Sequence, residues 1–405
     1  MTMAASLLIV GAGPAGLMAA LVAASRNPPH GVTVVERLPA AGVKLAASGG
    51  GRGNLSHIAT EDEFVAAFGK HGRFTLPAFR ALPPEALQRL LKDIGVPTLV
   101  DDTGRVYPRS QSAAAVRDAL FHACRKAGVR FQFGQQVQSL TVPATPEEQW
   151  RVDSWTAHSV LLAAGGQSTP RLGSDGSGFA LARSLGYSII PPVPALTSIQ
   201  TMETWPGILR GVSLPDATLA IADSRGSAVR GELLFTHRGL SGPAVLNLSG
   251  RIARLRYDGH PVILRLSVMP DLPSFARQRT IAGTRRILSW LSESLPRSLA
   301  TVLLELSGIP RDLTFSRLAM GQERALLLHL TACPLTVSST GGFEQSMATA
   351  GGITLKQVCP ETLAGRLTPR LFLAGEILDL DGPTGGWNLH WAFCSGYLAG
   401  MKAGF

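Results

Sequence analysis

Gly11, Gly13 and Gly16 have the G-x-G-x-x-G spacing and stand between an apolar run and a helix-forming run. This order leaves few folds open. Leu7-Leu-Ile-Val10 has the unbroken apolarity of a strand covered on both faces. Leu17-Met-Ala-Ala20 reads on as helix. Gly11 allows the tight turn out of the strand, Gly13 lets a pyrophosphate approach the backbone, and Gly16 lets the helix lie against the strand. The helix N-terminus then faces the phosphates. Such spacing is weak by itself, and a ligand-free glycine turn is the alternative. A second apolar run, Val32-Thr-Val-Val-Glu36, weighs strongly for the ligand site. It ends in an acid placed to hold a ribose hydroxyl, so the unit predicts an adenine dinucleotide site.

Glycine returns where other apolar runs end. Four of the five residues 49–53 are glycine, in the loop Ser48-Gly-Gly-Gly-Arg-Gly-Asn54. Backbone there can pass close to a flat ligand, with Arg52 and Asn54 as its polar groups; a flexible surface linker is the alternative. Ser159-Val-Leu-Leu-Ala-Ala-Gly-Gly166 and Arg370-Leu-Phe-Leu-Ala-Gly-Glu376 are two further strands closing on glycine. Gly173-Ser-Asp-Gly-Ser-Gly178 lacks the fingerprint spacing and reads as a turn and helix cap, so the chain holds one dinucleotide fingerprint. Ser112 caps a predicted helix that Gly128 ends, and Val129-Arg-Phe-Gln-Phe133 alternates like a strand. The order predicts an α/β fold with a parallel sheet.

Pro191-Pro-Val-Pro194 marks a boundary. Short strands and turns follow to about residue 270, and residues 274–330 read as helical. His237 lies among the strands with no partner at metal spacing, which reads as a loop histidine. Arg277, Arg279, Arg285 and Arg286 form a basic cluster that reads first as a solvated helix face. The net charge of +10 leaves RNA open as a partner. Cys124, Cys333, Cys359 and Cys394 are scattered, with neither a C-x-x-C pair nor zinc spacing. That pattern fits a reduced, cytoplasmic protein and disfavours a dithiol relay. The apolar start is cut by the fingerprint glycines, which argues against a signal peptide, and no stretch has the length of a membrane span.

Three segments carry a narrower resemblance. They are Ser48 to Asn54, Leu234-Phe-Thr-His-Arg-Gly-Leu-Ser-Gly-Pro243, and Ala374-Gly-Glu-Ile-Leu-Asp-Leu-Asp-Gly-Pro-Thr-Gly-Gly-Trp-Asn388. With the fingerprint, they resemble the YhiN/BaiN-like family of bacterial FAD proteins, within the two-dinucleotide-binding-domain flavoproteins, over nearly the whole chain. The resemblance implies a Rossmann-like FAD-binding domain built from residues 1–190 and 346–405. Residues 191–345 would form an inserted β-rich, barrel-like subdomain, with a helical subdomain at about 274–330. It further implies that Gly11, Gly13, Ala15 and Gly16 take the pyrophosphate and that Glu36 and Arg37 border the adenosine. Lys44, Gly50, Gly51, Arg52 and Asn54 would lie along the FAD, with Ala164 and Gly165 beside it. Gly375 and Glu376 would stand near the ribityl-phosphate, and Gly386, Trp387 and Asn388 near the isoalloxazine. The chain departs from the family pattern at Gly53, where a cysteine is usual, and at Trp387 and His390, where Tyr and Gln are common.

The implied activity is that of an FAD-dependent oxidoreductase passing a hydride to a carbon–carbon double bond, with NAD(P)H as a transient donor. The acceptor is either a small molecule or uridine in RNA; a non-enzymatic FAD-binding redox sensor is the remaining alternative. No metal and no membrane partner are expected. A catalytic acid and an oligomeric state are not assigned.

Overall fold

A computed structural model describes residues 3–28, 30–222, 226, 228–272 and 283–404. The chain divides into two compact units, residues 1–193 with 347–405, and residues 194–346.

The first unit is built on a mainly parallel sheet. Strand β1 (Met3–Val10) pairs in parallel with β2 (Val32–Glu36) on one side and with the strand Trp155–Leu162 on the other. Arg130–Phe133 extends the sheet beyond β2, and Leu371–Leu373 pairs in parallel with Trp155–Leu162. Leu7, Leu8 and Ile9 are fully buried because helices cover the sheet, and each contributes about 1.5–3 kcal/mol by leaving water. Helix α1 (Pro14–Ala24) follows β1 directly, with proline in its first turn where the missing N–H costs nothing. A Cβ on Gly16 would collide with the Gly11 carbonyl, so the strand-to-helix turn closes only with glycine there.

The C-terminal segment returns to this sheet. The terminal helix Trp387–Lys402 packs along α1, and Cβ atoms at Gly396 and Gly400 would run into the backbone of Ala15 and Ala19. The helix Ala113–Lys126 is capped by the Ser112 hydroxyl, which accepts from the Ala115 N–H, and buries Val116, Leu120 and Cys124. The prolines at 191–194 lie within the strand Ile189–Ala195, which pairs with Ala348–Ile353 in a two-stranded sheet. Glycine at 173–178 makes a turn ending in the left-handed cap Gly176 of the helix Ser177–Ser184.

The second unit is a closed six-stranded barrel with its own core. Its strands run Ile199–Thr201, Gly239–Ser241, Val229–Thr236, Ser213–Ile221, Ile263–Ser267 and Cys333–Thr340 around the barrel. His237 is exposed in the hairpin turn between two of them. Helices Ile287–Leu291, Arg297–Leu306 and Met320–Thr331 occupy the region read as helical. Arg277 and Arg279 lie outside the described residues; Arg285 pairs with Glu293, and Arg286 precedes the first of these helices without a side-chain capping bond.

Candidate functional site

The glycine-ended strands of the first unit converge on the N-terminus of α1. A Cβ on Gly11 would lie 2.6 Å from the Ala163 carbonyl oxygen and 3.0 Å from Ala164 Cα. A Cβ on Gly375 would lie 3.0 Å from the Ala15 side chain. Gly375 is fixed from below, its N–H donating to Ser395 Oγ and its carbonyl accepting from Trp391 Nε1. Gly13 differs from its neighbours: a Cβ there would meet nothing within 4 Å, and no side chain caps the helix it begins. The start of α1 is thus open at Gly13 with no side chain capping its first turn, an arrangement that suits a phosphate.

Glu36 ends β2 buried, and its two carboxylate oxygens accept from the Ala12 N–H (2.7 Å) and the Leu38 N–H (2.9 Å). Each oxygen keeps a second lone pair. Next to it, Arg37 reaches Asp175 through Nη1 (2.9 Å) and the Pro170 carbonyl through Nη2 (2.9 Å). Its Nε is buried without a partner, as is Ser48 Oγ at the start of the glycine loop. Unsatisfied buried donors of this kind call for a ligand or water. With the open cradle at Gly13, and with Gly50 and Gly51 facing open space, they fit an extended nucleotide cofactor.

Lys44 ties the N-terminal loop to the C-terminal strand. Its Nζ lies 2.7 Å from Glu376 Oε2 and 2.5 Å from Ser168 Oγ, each carboxyl and amine about a quarter exposed. Glu376 also accepts from Ser168 Oγ and from the Thr349 N–H, both at 2.8 Å. Burial opposes the charge on Glu376, but Lys44 and these hydrogen bonds outweigh it and hold its pKa below the ordinary carboxylate value. Thr349 Oγ1 in turn accepts from the N–H groups of Gln167 and Ser168, next to Ala164 and Gly165. Ser168 and Thr349 were not legible as site residues, since no spacing links them to Lys44.

At the C-terminal edge, Asn54 bridges the glycine loop and the terminal helix. With its amide nitrogen toward the Ser56 carbonyl (3.2 Å), its oxygen faces the Gly386 N–H (3.3 Å). Gly386 takes a φ of +99°, and a Cβ there would strike the Ser56 carbonyl, so protein backbone demands glycine at this position. Asn388 spends its amide on the loop before it, accepting from the Gly382 N–H and donating to the Gly382 carbonyl, both at 2.8 Å. Trp387 stacks on His57 with ring centroids 4.6 Å apart. Arg52 is exposed, donating from Nε to Gln111 Oε1 and lying over the Tyr107 ring. His390 is buried; its Nε2 donates to the Leu82 carbonyl, so Nδ1 accepts from Ser56 Oγ at 2.6 Å. Burial drives this imidazole down to about 4, and it stays neutral at physiological pH.

Three of the four thiols are shielded from solvent. Cys124, Cys333 and Cys394 are buried and pushed upward by desolvation, the first two to about 12, and the four cysteines are all unpaired. Among the described residues no group of three or more His, Cys, Asp or Glu could hold a metal ion, and no helix is long and apolar enough to cross a membrane.

Comparison with known proteins gives the family. The model of the HI0933-like protein Rossmann domain matches residues 5–402. A 3-dehydro-bile acid delta(4,6)-reductase of Clostridium scindens is 32% identical, with 98% of each chain covered. The ribosomal RNA dihydrouridine synthase of Escherichia coli is 28% identical, with 96% of each chain covered. Among solved structures, the 3-ketosteroid delta1-dehydrogenase of Sterolibacterium denitrificans is similar at a TM-score of 0.54 and 14% identity over 99% of both chains, which is a likeness of fold. The chain belongs to the HI0933-like Rossmann family and is an FAD-dependent oxidoreductase.

Proposed function

We propose that this chain reduces a carbon–carbon double bond conjugated to a carbonyl in a small, largely apolar molecule. The observation that carries the reading is the full-length similarity to a reductase of bile-acid double bonds. When bound, FAD supplies a hydride equivalent at its N5 position. In this reading the chain's own groups hold that cofactor. Gly11, Gly13, Ala15 and Gly16 seat the pyrophosphate, and Glu36 and Arg37 the adenosine. Lys44, Gly50, Gly51, Arg52, Asn54, Ala164 and Gly165 line its length, Gly375 and Glu376 the ribityl-phosphate, and Gly386, Trp387 and Asn388 the ring. Residues 1–190 and 346–405 form the FAD-binding domain, and 191–345 are an insertion. NAD(P)H is a transient electron donor, and the unpaired cysteines support a cytoplasmic setting.

The test is anaerobic. The holoenzyme is reduced with dithionite and mixed with a 3-oxo-4-ene steroid acid. Reoxidation of the flavin with loss of the enone absorbance supports the reading, and a flavin that stays reduced while the enone is unchanged contradicts it.

A second reading, reduction of uridine in RNA, is favoured by the similarity to ribosomal RNA dihydrouridine synthases and by the net charge of +10. It requires RNA binding whose affinity falls steeply with salt, by about 0.7 log units per decade of salt for each phosphate contact on a single strand.

A further inference from the structure

A cleft of about 370 Å³ opens beside the start of the terminal helix, lined by His57, Ile58, Glu63, Ala66, Ala67, Pro383 and Trp387. Its volume is that of a small-ligand site, and its walls mix two flat rings with short aliphatic side chains. His57 and Trp387 stack at an interplanar angle of 18°, giving a rigid aromatic wall. His57 Nδ1 lies 3.2 Å from the Gly385 carbonyl, which can only accept, so Nδ1 carries the proton in that bond. Among the described residues Nε2 has no hydrogen-bond partner, and it is not sealed from solvent. Gly104 borders it; a Cβ there would lie 3.1 Å from Nε2 and would cover it. Glu63 stands on the same cleft close enough for its charge to interact with that of His57, while Arg105 lies opposite His57 in the strand register. The other histidine at this end of the helix, His390, is buried with both nitrogens engaged. His57 is thus the histidine here with a free ring nitrogen and a cavity to serve.

We infer that this cleft seats the conjugated carbonyl acceptor and that His57, as imidazolium, delivers the proton that completes its reduction. The inference rests on the proposed reductase function and on Trp387 bordering the flavin ring. The hydride equivalent that bound, reduced FAD would supply, leaving the flavin oxidised, forms the new C–H bond at the β-carbon while the C=C π bond breaks and its electron pair moves toward the carbonyl as an enolate. The His57 Nε2–H bond then breaks, its proton forms the C–H bond at the α-carbon, and the neutral imidazole is reprotonated from water. With Nδ1–H held by Gly385, the Nε2–H exists in the imidazolium form, so the acid is pre-aimed. Enones in steroid-like acids and the C4 carbonyl with the C5–C6 double bond of uracil share this O=C–C=C unit. Two probes separate them: a 3-oxo-4-ene steroid acid and uridine.

The experiment uses holoenzyme labelled with [15N]histidine, the His57 signals being assigned by their loss in His57→Asn. Titrating each probe should shift the His57 Nε2 resonance, and the probe that shifts it is the acceptor type the cleft accepts. In single turnovers after dithionite reduction, His57→Asn should keep its FAD and its probe affinity while reducing the acceptor about 100-fold or more slowly. Its solvent deuterium isotope effect should change with it. Ala66→Phe, on an exposed helical position of the cleft wall, should keep FAD and weaken probe binding at least tenfold. Undiminished turnover in FAD-loaded His57→Asn, or an unshifted His57 signal with normal turnover, overturns the assignment of His57 and leaves the reductase reading standing. Wild-type reduced enzyme that neither probe reoxidises contradicts the reductase reading itself, and an unshifted His57 signal in that sample removes the cleft as well.

Discussion

Lys44 and Glu376, 332 positions apart in the chain, meet as an ion pair with Nζ 2.7 Å from Oε2. The pair joins the short helix Val43–Ala46 after β2 to the turn after the strand Leu371–Leu373, so the two ends of the chain share one electrostatic anchor. Lys44→Met leaves the Glu376 charge without its cation. Because about a quarter of each side chain is exposed, the loss should be about 1–3 kcal/mol, below that of a fully buried pair. The Glu376 pKa is depressed in the folded protein. Its contribution is therefore present above the ordinary glutamate pKa and fades as pH falls through the lower folded value. Urea denaturation should show a larger Lys44→Met deficit at pH 7 than at pH 3.

His390 has the same sign of pH dependence for another reason. Burial moves it from 6.5 to about 4, so the unfolded chain takes up a proton that the folded chain refuses. Stability from this residue is complete above pH 6.5 and falls by about 3 kcal/mol as the pH drops toward 4. His390→Gln should flatten that part of the stability–pH curve, read by thermal denaturation from pH 7.5 to 4.

Glu36 fastens the Rossmann turn through the Ala12 and Leu38 N–H groups as well as standing where a ribose would be held. Glu36→Ala should weaken FAD binding by about 1–3 kcal/mol, the value of a charge-assisted hydrogen bond. It should also lower the stability of the FAD-free protein, which separates it from a residue that touches only the cofactor. Fluorescence titration with FAD and denaturation of the apoprotein read the two effects.

At Gly53 the φ is +78°, and a Cβ would sit 3.2 Å from Ala113 Cα. Restoring the cysteine common in the resembling family, Gly53→Cys, should therefore destabilise this chain by about 1–3 kcal/mol. Denaturation of the two proteins side by side measures it.

The terminal helix gives the last of these expectations. Leu389→Pro removes an N–H from its first turn while leaving the rest of the helix intact. A helix N-terminus stabilises a nearby anion by about 0.3–1 kcal/mol, so the bound flavin should become harder to reduce. Spectroelectrochemistry should show a negative shift in potential; an unaltered potential with full FAD would place the ring elsewhere. Gly386→Val is the poorer probe, because its side chain meets the Ser56 carbonyl and disturbs folding first.

The sequence was most informative where the constraint is local. The passage from β1 through the fingerprint to Glu36 was readable because one turn, one helix and one strand determine it, and the strands at 159–162 and 371–373 announced themselves by apolar runs ending in glycine. The resemblance supplied the division into a split cofactor-binding part and an insertion; composition alone did not. What stayed hidden is made of distant pairings. Nothing in the residues around Lys44 names Glu376, Ser168 and Thr349 as its neighbours. Nothing in the residues around Asn388 shows that its amide also holds the 382–383 backbone. His57 is a lone histidine in sequence, and its cleft is assembled from three separate segments.

The central claim is that one chain, closing its N- and C-terminal segments around the Gly11–Gly16 turn, holds FAD. Denaturing the purified protein and identifying the released nucleotide by chromatography and mass spectrometry tests it most directly. The purified protein should be yellow and release about one FAD per chain, with FMN absent. Release of a nicotinamide nucleotide alone, or failure of the FAD-free protein to bind added FAD, would contradict it.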